Sequence, residues 1–187
     1  RARSFFAAQA SRLGLADRES ARELLAAALE SGRPAVVDAD ALNLVAQSPS
    51  CSDRWVLTPH PGEAARLLGV TSSEVQGDRL AALRALQSRY GGTVVLKGSG
   101  SLVLSPGELP RLCDRGNPGL ATGGTGDVLT GVIAGIAAQC GDLAAAARAG
   151  VFVHAQAGDL AARRGERGLT AGDVLEQVRA CVNPPFA

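Results

Sequence analysis

The sequence contains no methionine, and aromatic residues make up only 3% of its 187 residues. These shortages leave the interior to aliphatic and small side chains, so we expect alanine-rich helices packed closely around a core. Hydrophobic residues account for 46% and charged residues for 20%, an ordinary globular composition that excludes a disordered or collagen-like chain. The length suits one α/β domain, and we predict a single domain over residues 1–187.

Strong charge, paired cysteines and long apolar runs are also absent. The formal net charge is +1 with no lysine-rich run, so we expect no nucleic-acid partner. Four widely separated cysteines (Cys51, Cys113, Cys140 and Cys181) form no C-x-x-C pair, which favours isolated thiols in a reducing compartment over a zinc site. We see no signal peptide and no apolar run long enough to cross a bilayer, so we expect a cytoplasmic chain without membrane contact.

Hydrophobic periodicity predicts helices and strands that alternate along most of the chain. The predicted helices cover 17–31, 41–47, 62–69, 78–90, 126–139, 142–163 and 169–182, and the predicted strands cover 35–40, 54–58, 93–97 and 102–105. The last two strands flank the tight turn GSGS, a pattern that predicts a β-hairpin. Strands that alternate with helices indicate an α/β fold with a mostly parallel sheet covered by helices.

Three helices carry specific burial predictions. We expect Leu24, Leu25 and Leu29 to form the buried stripe of the first helix. In the helix at 78–90 the buried face should hold Leu80, Leu83, Leu86 and Tyr90. The helix at 126–139 is apolar on almost all sides and should therefore be buried.

The glycine-rich segment TGGTGDVLTG carries the strongest functional signal. Gly123, Gly124 and Gly126 surround Thr125 directly before a helix. Glycines let the backbone approach a ligand closely, and the helix start offers unpaired N–H groups, so these four residues are a candidate phosphate site. Asp127 either stabilises the helix start or acts as a catalytic base beside the bound phosphate. The segment is neither a P-loop nor a dinucleotide-binding fingerprint.

The segment TPHPGE follows a predicted strand. His60 is held between Pro59 and Pro61 at the carboxyl end of that strand, where open α/β sheets place their ligands. It is either a ligand contact or a structural histidine. Glu63 either caps the following helix or positions a metal-bound water near phosphates.

Two further segments end at the same edge of the sheet. In VVLKGSGSLV, Lys97 and the turn with Ser99 or Ser101 contact a nucleotide, or the segment is a plain hairpin with a surface lysine. In VVDADALN, Asp38 and Asp40 hold Mg²⁺ indirectly or cap the next helix.

In this order and wording, the four segments resemble the ADP/ATP-dependent NAD(P)H-hydrate dehydratases, a branch of the ribokinase-like superfamily. The resemblance covers roughly residues 10–180, and TPHPGE is more specific to this branch than the glycine segment. It implies a three-layer α/β/α fold and a lyase that uses ADP or ATP with Mg²⁺. The implied reaction activates the hydroxyl of the hydrated nicotinamide ring by phosphoryl transfer and then eliminates phosphate.

The resemblance also implies residue roles. It gives Gly14, His60 and Asp127 as contacts of the hydrated dinucleotide, with Asp127 catalytic. The adenine nucleotide would be bound by Lys97, Gly98, Ser99, Gly100, Ser101 and Gly126. Glu63 would act on the metal only indirectly. A homo-oligomer and an NAD(P)H-hydrate epimerase, fused upstream or separate, are the implied protein partners.

Two features depart from the family pattern. The G-P-G-L-G segment of the family is matched only by ASRLGLAD, in which Leu13 and Gly14 align. Family domains also begin earlier, so we expect the chain to lack the N-terminal part of its domain. The alternatives are a ribokinase-like kinase of a vitamin alcohol and a non-catalytic nucleotide-binding module.

Overall fold

The computed structural model describes residues 6–8 and 18–183. Six strands form one sheet in the order in which they occur along the chain. They are β1 (Phe6–Ala8), β2 (Ala35–Val37), β3 (Trp55–Leu57), β4 (Thr93–Leu96), β5 (Leu102–Leu104) and β6 (Arg111–Leu112).

The helices lie before, between and after these strands. They are α1 (Arg18–Glu30), α2 (Asp40–Gln47), α3 (Pro61–Leu68), α4 (Ser72–Gly77), α5 (Arg79–Tyr90), α6 (Thr125–Cys140), α7 (Leu143–Ala161) and α8 (Ala171–Val182). Short 3₁₀ turns at Pro118–Ala121 and Ala162–Arg164 adjoin α6 and α7. Within the described ranges, none of the helices combines the length and apolar composition that a bilayer crossing requires.

The sheet is mostly parallel, as predicted. β1, β2, β3 and β4 are parallel neighbours, whereas β5 runs antiparallel to β4 and β6 antiparallel to β5. The helices between the parallel strands supply the long crossover connections that parallel pairing requires. The β4–β5 pair confirms the predicted hairpin.

Alternate residues of the buried strands belong to two separate hydrophobic clusters. Val37, Leu57 and Val94 pack in one cluster with side chains of α2, α3 and α5. Val36, Val56 and Val95 point the other way and pack against Leu129 and Ile133 of α6 and Val151 of α7. This period-two alternation places helices on both faces of the sheet and confirms the three-layer α/β/α architecture.

Two predicted core leucines are exposed. Leu24 is 49% exposed while Leu25 beside it is buried, because successive residues of a helix point about 100° apart and Leu24 lies beyond the edge of the buried stripe. Leu80 is 43% exposed, since it lies in the first turn of α5, ahead of the buried Leu83 and Leu86. The predicted burial of these two side chains was therefore wrong.

The prediction that α6 is buried on almost all sides was also wrong. Gly131 and Gly135 are exposed on one face of the helix, while Ile133 on the opposite face is fully buried. Glycine and alanine raise the apolar content of a segment without supplying side chains that must be covered. The apolar composition of α6 therefore predicted more burial than the helix has.

Candidate functional site

Three of the candidate segments meet at the carboxyl edge of the parallel strands. Asp38 follows β2, His60 lies in the loop after β3, and Lys97 follows β4. The start of α6 approaches the same place, because a Cβ atom built on Gly126 would lie 3.4 Å from Lys97 Nζ and 3.8 Å from Asp38 Oδ2. The topology thus collects residues that are far apart in sequence at one end of the sheet.

Lys97 is the centre of this cluster and the only lysine of the sequence. Its side chain is 18% exposed, and its Nζ donates to Asp38 Oδ1 over 2.8 Å. Glu63 Oε2 lies 3.7 Å from the same nitrogen. The hairpin prediction is confirmed, but its companion idea of a surface lysine was wrong, since this ammonium is largely buried between two carboxylates.

Asp38 does not take the capping role predicted from VVDADALN. It is 2% exposed, and its Oδ2 accepts a hydrogen bond of 2.8 Å from Thr130 Oγ1 on α6. The residue that caps α2 is Ala39, without any side-chain capping bond, and Asp40 is the first helical residue. The capping hypothesis for Asp38 was therefore wrong.

His60 and Glu63 build the start of α3 together. His60 Nδ1 accepts from the backbone N–H groups of Gly62 and Glu63 over 3.0 and 3.3 Å, which assigns the ring proton of the neutral form to Nε2. Glu63 Oε2 accepts in return from the His60 backbone N–H over 2.8 Å. This capping box confirms the capping role of Glu63.

His60 nevertheless remains accessible to a ligand. Its side chain is 51% exposed, whereas that of Glu63 is only 7% exposed. Glu63 Oε1 lies 3.4 Å from His60 Nε2, so the buried carboxylate of Glu63 contacts both the exposed imidazole and the ammonium of Lys97. Glu63 therefore orients the imidazole from the buried side, while the other side of the ring faces solvent.

The glycine segment forms the predicted turn and helix start. Gly124 precedes α6 with a φ of 90°, a left-handed conformation that favours glycine. Thr125 Oγ1 lies within hydrogen-bonding distance of the carbonyl oxygens of Leu120 and Thr122, at 2.7 and 2.8 Å. Val128 N donates the first helical bond to Gly124 O, and Thr125 N donates to Thr122 O over 3.4 Å, so the N–H group of Gly126 between them is directed out of the helix end. Such a helix end suits an anion.

Asp127 lines a groove that Lys97 does not line. A groove of about 720 Å³ runs between α6 and α8, and Asp127, Gly123 and Gly124 line its end at the helix start. Most of its walls further along are apolar or lack side chains, as at Gly131 and Leu175, and Gln139 is the polar residue there. The first turn of α6 therefore places Asp127 at this groove and Gly126 beside Lys97.

The predicted nucleotide turn is shaped by Arg79, which the sequence analysis missed. Arg79 Nη1 donates to Ser99 O over 2.6 Å and Nη2 to Leu96 O over 3.3 Å. Burial lowers the pKa of its guanidinium, and its Nε is buried without a hydrogen-bond partner in the described chain. Gly98 has a φ of 147°, and a Cβ atom there would lie 3.0 Å from Arg79 Nη2. The turn is thus fixed by a long-range contact.

Ser101 and Gly100 complete that turn. Ser101 Oγ donates to Gly98 O over 3.3 Å, and Gly100 takes a φ of 68° close to Leu112 of β6. Gly98 and Ser99 are exposed. A ligand can therefore reach the outer half of the turn, while its inner half is held by the sheet and by Arg79.

His154 is a second residue that the sequence analysis missed. It lies on α7, and its Nε2 is 2.8 Å from the carbonyl oxygen of Thr125. Burial lowers the pKa of this imidazole, and the nearby positive charge of Lys97 lowers it further, against the opposing effect of the Thr125 hydrogen bond. Nothing in the helical pattern of α7 distinguishes His154 from an ordinary core position.

The structure does not test the predictions for Gly14 and for Mg²⁺. Gly14 lies outside the residues that the structure describes. Within those residues, no group of three or more His, Cys, Asp or Glu side chains is arranged to hold a metal ion.

A family profile described as NAD(P)H-hydrate dehydratase matches residues 10–179. The chain belongs to this dehydratase family. It is 52% identical over 172 residues to the bifunctional NAD(P)H-hydrate repair enzyme of Coxiella burnetii, covering 91% of this chain and 35% of that protein. It is 43% identical over 155 residues to an ADP-dependent (S)-NAD(P)H-hydrate dehydratase of Neisseria meningitidis, covering 79% of this chain and 52% of that protein.

Structural similarity agrees with this assignment. An ADP/ATP-dependent NAD(P)H-hydrate dehydratase from Bacillus subtilis, co-crystallised with ATP and Mg²⁺, superposes with a TM-score of 0.79 at 28% identity. The match covers 88% of this dehydratase-family chain and 59% of that structure. The predicted ribokinase-like fold is confirmed. The chain spans about half or less of the length of these two curated relatives.

Proposed function

We propose that this chain carries the site at which a nucleotide-dependent dehydratase converts hydrated NADH or NADPH back to the reduced dinucleotide. The observation that supports this most is the convergence of Lys97, Glu63 and His60 with the first turn of α6 at one sheet edge. A cation and the end of a helix together suit a polyphosphate. The names of the Coxiella and Neisseria relatives add the substrate class.

The two substrates are assigned to different groups. ADP or ATP, with Mg²⁺ on its phosphates, lies along Lys97, the turn of residues 98–101 and Gly126. The phosphate to be transferred contacts the N–H groups of Gly123, Gly124, Thr125 and Gly126. The hydrated dinucleotide contacts His60, Asp127 and Gly14. The B. subtilis structure with ATP and Mg²⁺ supports the nucleotide and the metal.

The reaction follows from the need for a leaving group. Asp127 takes the proton from the ring hydroxyl while the hydroxyl oxygen attacks the terminal phosphorus of the nucleotide. The shortened nucleotide leaves with the electrons of the broken P–O bond. The carbon–oxygen bond then breaks with loss of phosphate, which leaves more readily than hydroxide. Loss of a proton from the neighbouring carbon restores the double bond.

The test is the recovery of reduced nicotinamide, followed by its near-ultraviolet absorbance. Purified protein is mixed with hydrated NADH, Mg²⁺ and either ADP or ATP, and a reaction without nucleotide serves as the control. Recovery that requires a nucleotide supports the proposal and identifies the phosphoryl donor. A phosphorylated product that accumulates without recovery indicates the kinase alternative, and nucleotide binding without any turnover indicates a non-catalytic module.

The same preparation tests the predicted partners. Sedimentation at several protein concentrations measures whether the chain forms a homo-oligomer. Addition of a separate NAD(P)H-hydrate epimerase to the mixture of the two hydrate epimers should raise the final yield of NADH, since a stereospecific dehydratase alone stops when one epimer is used up. An unchanged yield would show that this chain accepts both epimers or that the epimers interconvert unaided.

A further inference from the structure

Asp38 has contacts that the proposed substrate assignments do not use. Its side chain is 3% exposed, and its two carboxylate oxygens accept from different elements. Oδ1 accepts from Lys97 Nζ at the end of β4, and Oδ2 accepts from Thr130 Oγ1 on α6, each over 2.8 Å. A buried carboxylate with both oxygens satisfied is held in a fixed orientation.

The backbone beside Asp38 is also held in an unusual conformation. Ala39 has a φ of 50°, and no other residue except glycine has a positive φ in the described part of the chain. Hydrogen bonds from Ala41 N to Asp38 O and from Asn43 N to Ala39 O close the turn on both sides. Strain of this kind persists where the surrounding structure demands it, often beside a functional group.

We propose that Asp38 is the positioning residue for nucleotide binding, because it holds the Lys97 ammonium against the first turn of α6. The ammonium has three N–H donors and Asp38 accepts from one of them. A Cβ atom added to Gly126 would lie 3.4 Å from that nitrogen, so the glycine leaves space there that we assign to a phosphate oxygen. Asp38 itself does not touch the nucleotide. The inference rests on the proposed role of Lys97 in nucleotide binding.

Glu63 cannot replace Asp38 in this role. Its nearer oxygen lies 3.7 Å from Lys97 Nζ and already accepts from the His60 backbone N–H. Without Asp38, the flexible lysine side chain would lose its only contact of hydrogen-bond length among the described residues. The ammonium would then occupy several positions, and each bound phosphate would have to order it.

A double-mutant cycle on nucleotide affinity tests the inference. Calorimetry measures the Kd of Mg·ADP and Mg·ATP for the wild type, Asp38→Asn, Lys97→Met and the double variant. We expect Asp38→Asn to weaken binding about tenfold, and to have less than about a twofold effect when Lys97 is already Met. Equal binding by Asp38→Asn and the wild type, or fully additive losses, would overturn the inference.

The single lysine gives a second, independent readout. An amine-selective acylating reagent modifies Lys97 and the chain's α-amino group, which peptide mass spectrometry separates. We expect Lys97 to react faster in Asp38→Asn than in the wild type, because its nitrogen is no longer held by a carboxylate. Asp40→Asn, in the same segment but on the first turn of α2, is the matched control and should leave the rate unchanged. Equal rates in Asp38→Asn and the wild type would contradict the inference.

Thr130→Val covers the case in which Asp38→Asn fails to fold. It removes one hydrogen bond to Asp38 and leaves the ion pair with Lys97, so nucleotide binding should weaken by about two- to fivefold. No change in Kd would overturn the inference. If the wild type binds nucleotide and only the hydrate assay fails, the dehydratase proposal falls while the role of Asp38 stands. If the wild type binds neither nucleotide, both fall.

Discussion

The imidazole Nε2 of His154 lies 2.8 Å from the carbonyl oxygen of Thr125, so α7 supports the first turn of α6 from within the fold. Burial and the charge of Lys97 make the cationic form of His154 unfavourable in the native state. In the unfolded chain the imidazole titrates near its ordinary pKa of about 6.5. The unfolded state therefore binds more protons than the native state just below that pH.

This difference predicts that stability falls as the pH drops from about 7.5 to about 5.5. His154→Gln keeps a side-chain donor for Thr125 O without a titrating group, so it should lose less thermal stability over that interval. Circular dichroism melts of both proteins at the two pH values measure the difference. Glu74 and Asp173 have lowered pKa values through their Thr71 and Thr170 hydrogen bonds, but carboxylates affect stability mainly at lower pH. An equal loss in both proteins would contradict the role given to His154.

Asp127→Asn should abolish dehydration while nucleotide affinity stays nearly unchanged. The amide cannot accept the hydroxyl proton, and removal of a general base costs about 10²–10⁴-fold in rate. The phosphate contacts at the start of α6 are mainly from backbone N–H groups, which the substitution preserves. Turnover of the hydrate and calorimetry with ADP measure the two effects separately. A comparable loss of nucleotide binding would mean that Asp127 only organises the helix start.

Gly126→Ala should fold normally yet bind nucleotide at least about tenfold more weakly. The added Cβ would lie at ordinary contact distance from Lys97 Nζ, 3.4 Å, and would fill the space assigned to phosphate. Gly135→Ala on the same helix is the control, because a Cβ there meets nothing within 4 Å. It should stabilise the protein by about 0.5–1 kcal/mol without changing the Kd. Unchanged affinity in Gly126→Ala would place the phosphate elsewhere.

Arg79→Ala should weaken nucleotide binding, because the turn of residues 98–101 loses the guanidinium that binds the carbonyl oxygens of Leu96 and Ser99. Arg79→Lys should recover only part of the affinity, since an ammonium lacks the planar fork that spans both oxygens. Arg84→Ala, exposed on the same helix, should behave as the wild type. Calorimetry with Mg·ADP compares the three. Equal affinities for Arg79→Ala and Arg84→Ala would show that the turn does not need Arg79.

The architecture was largely predictable from sequence because buried parallel strands and capped helices carry strong local signals. α8 begins after the capping box of Thr170 and Asp173, and α3 ends at the left-handed Gly69, each within two residues of the predicted bounds. α4 was missed although Thr71 and Glu74 form the same kind of capping box. The signal was present there, but the six-residue helix is too short to show periodicity.

The site was predictable as four segments but not as a set of contacts. Residue types and strand ends indicated that Asp38, His60 and Lys97 share one edge of the sheet. Which carboxylate binds the lysine depends on β2, β4 and α6 packing together, and no local pattern encodes that. Arg79 and His154 were missed for the same reason, because each acts on a segment more than 15 residues away in sequence.

The single tryptophan has a practical consequence. Trp55 begins β3, at the end of the sheet away from Lys97, and is 1% exposed. Its indole Nε1 donates to Tyr90 O over 2.7 Å, which joins the strand to the end of α5. Its fluorescence therefore reports the integrity of the core from a place that no proposed substrate reaches. Loss of ligand binding with an unaltered emission spectrum would separate damage to the site from damage to the fold in every variant above.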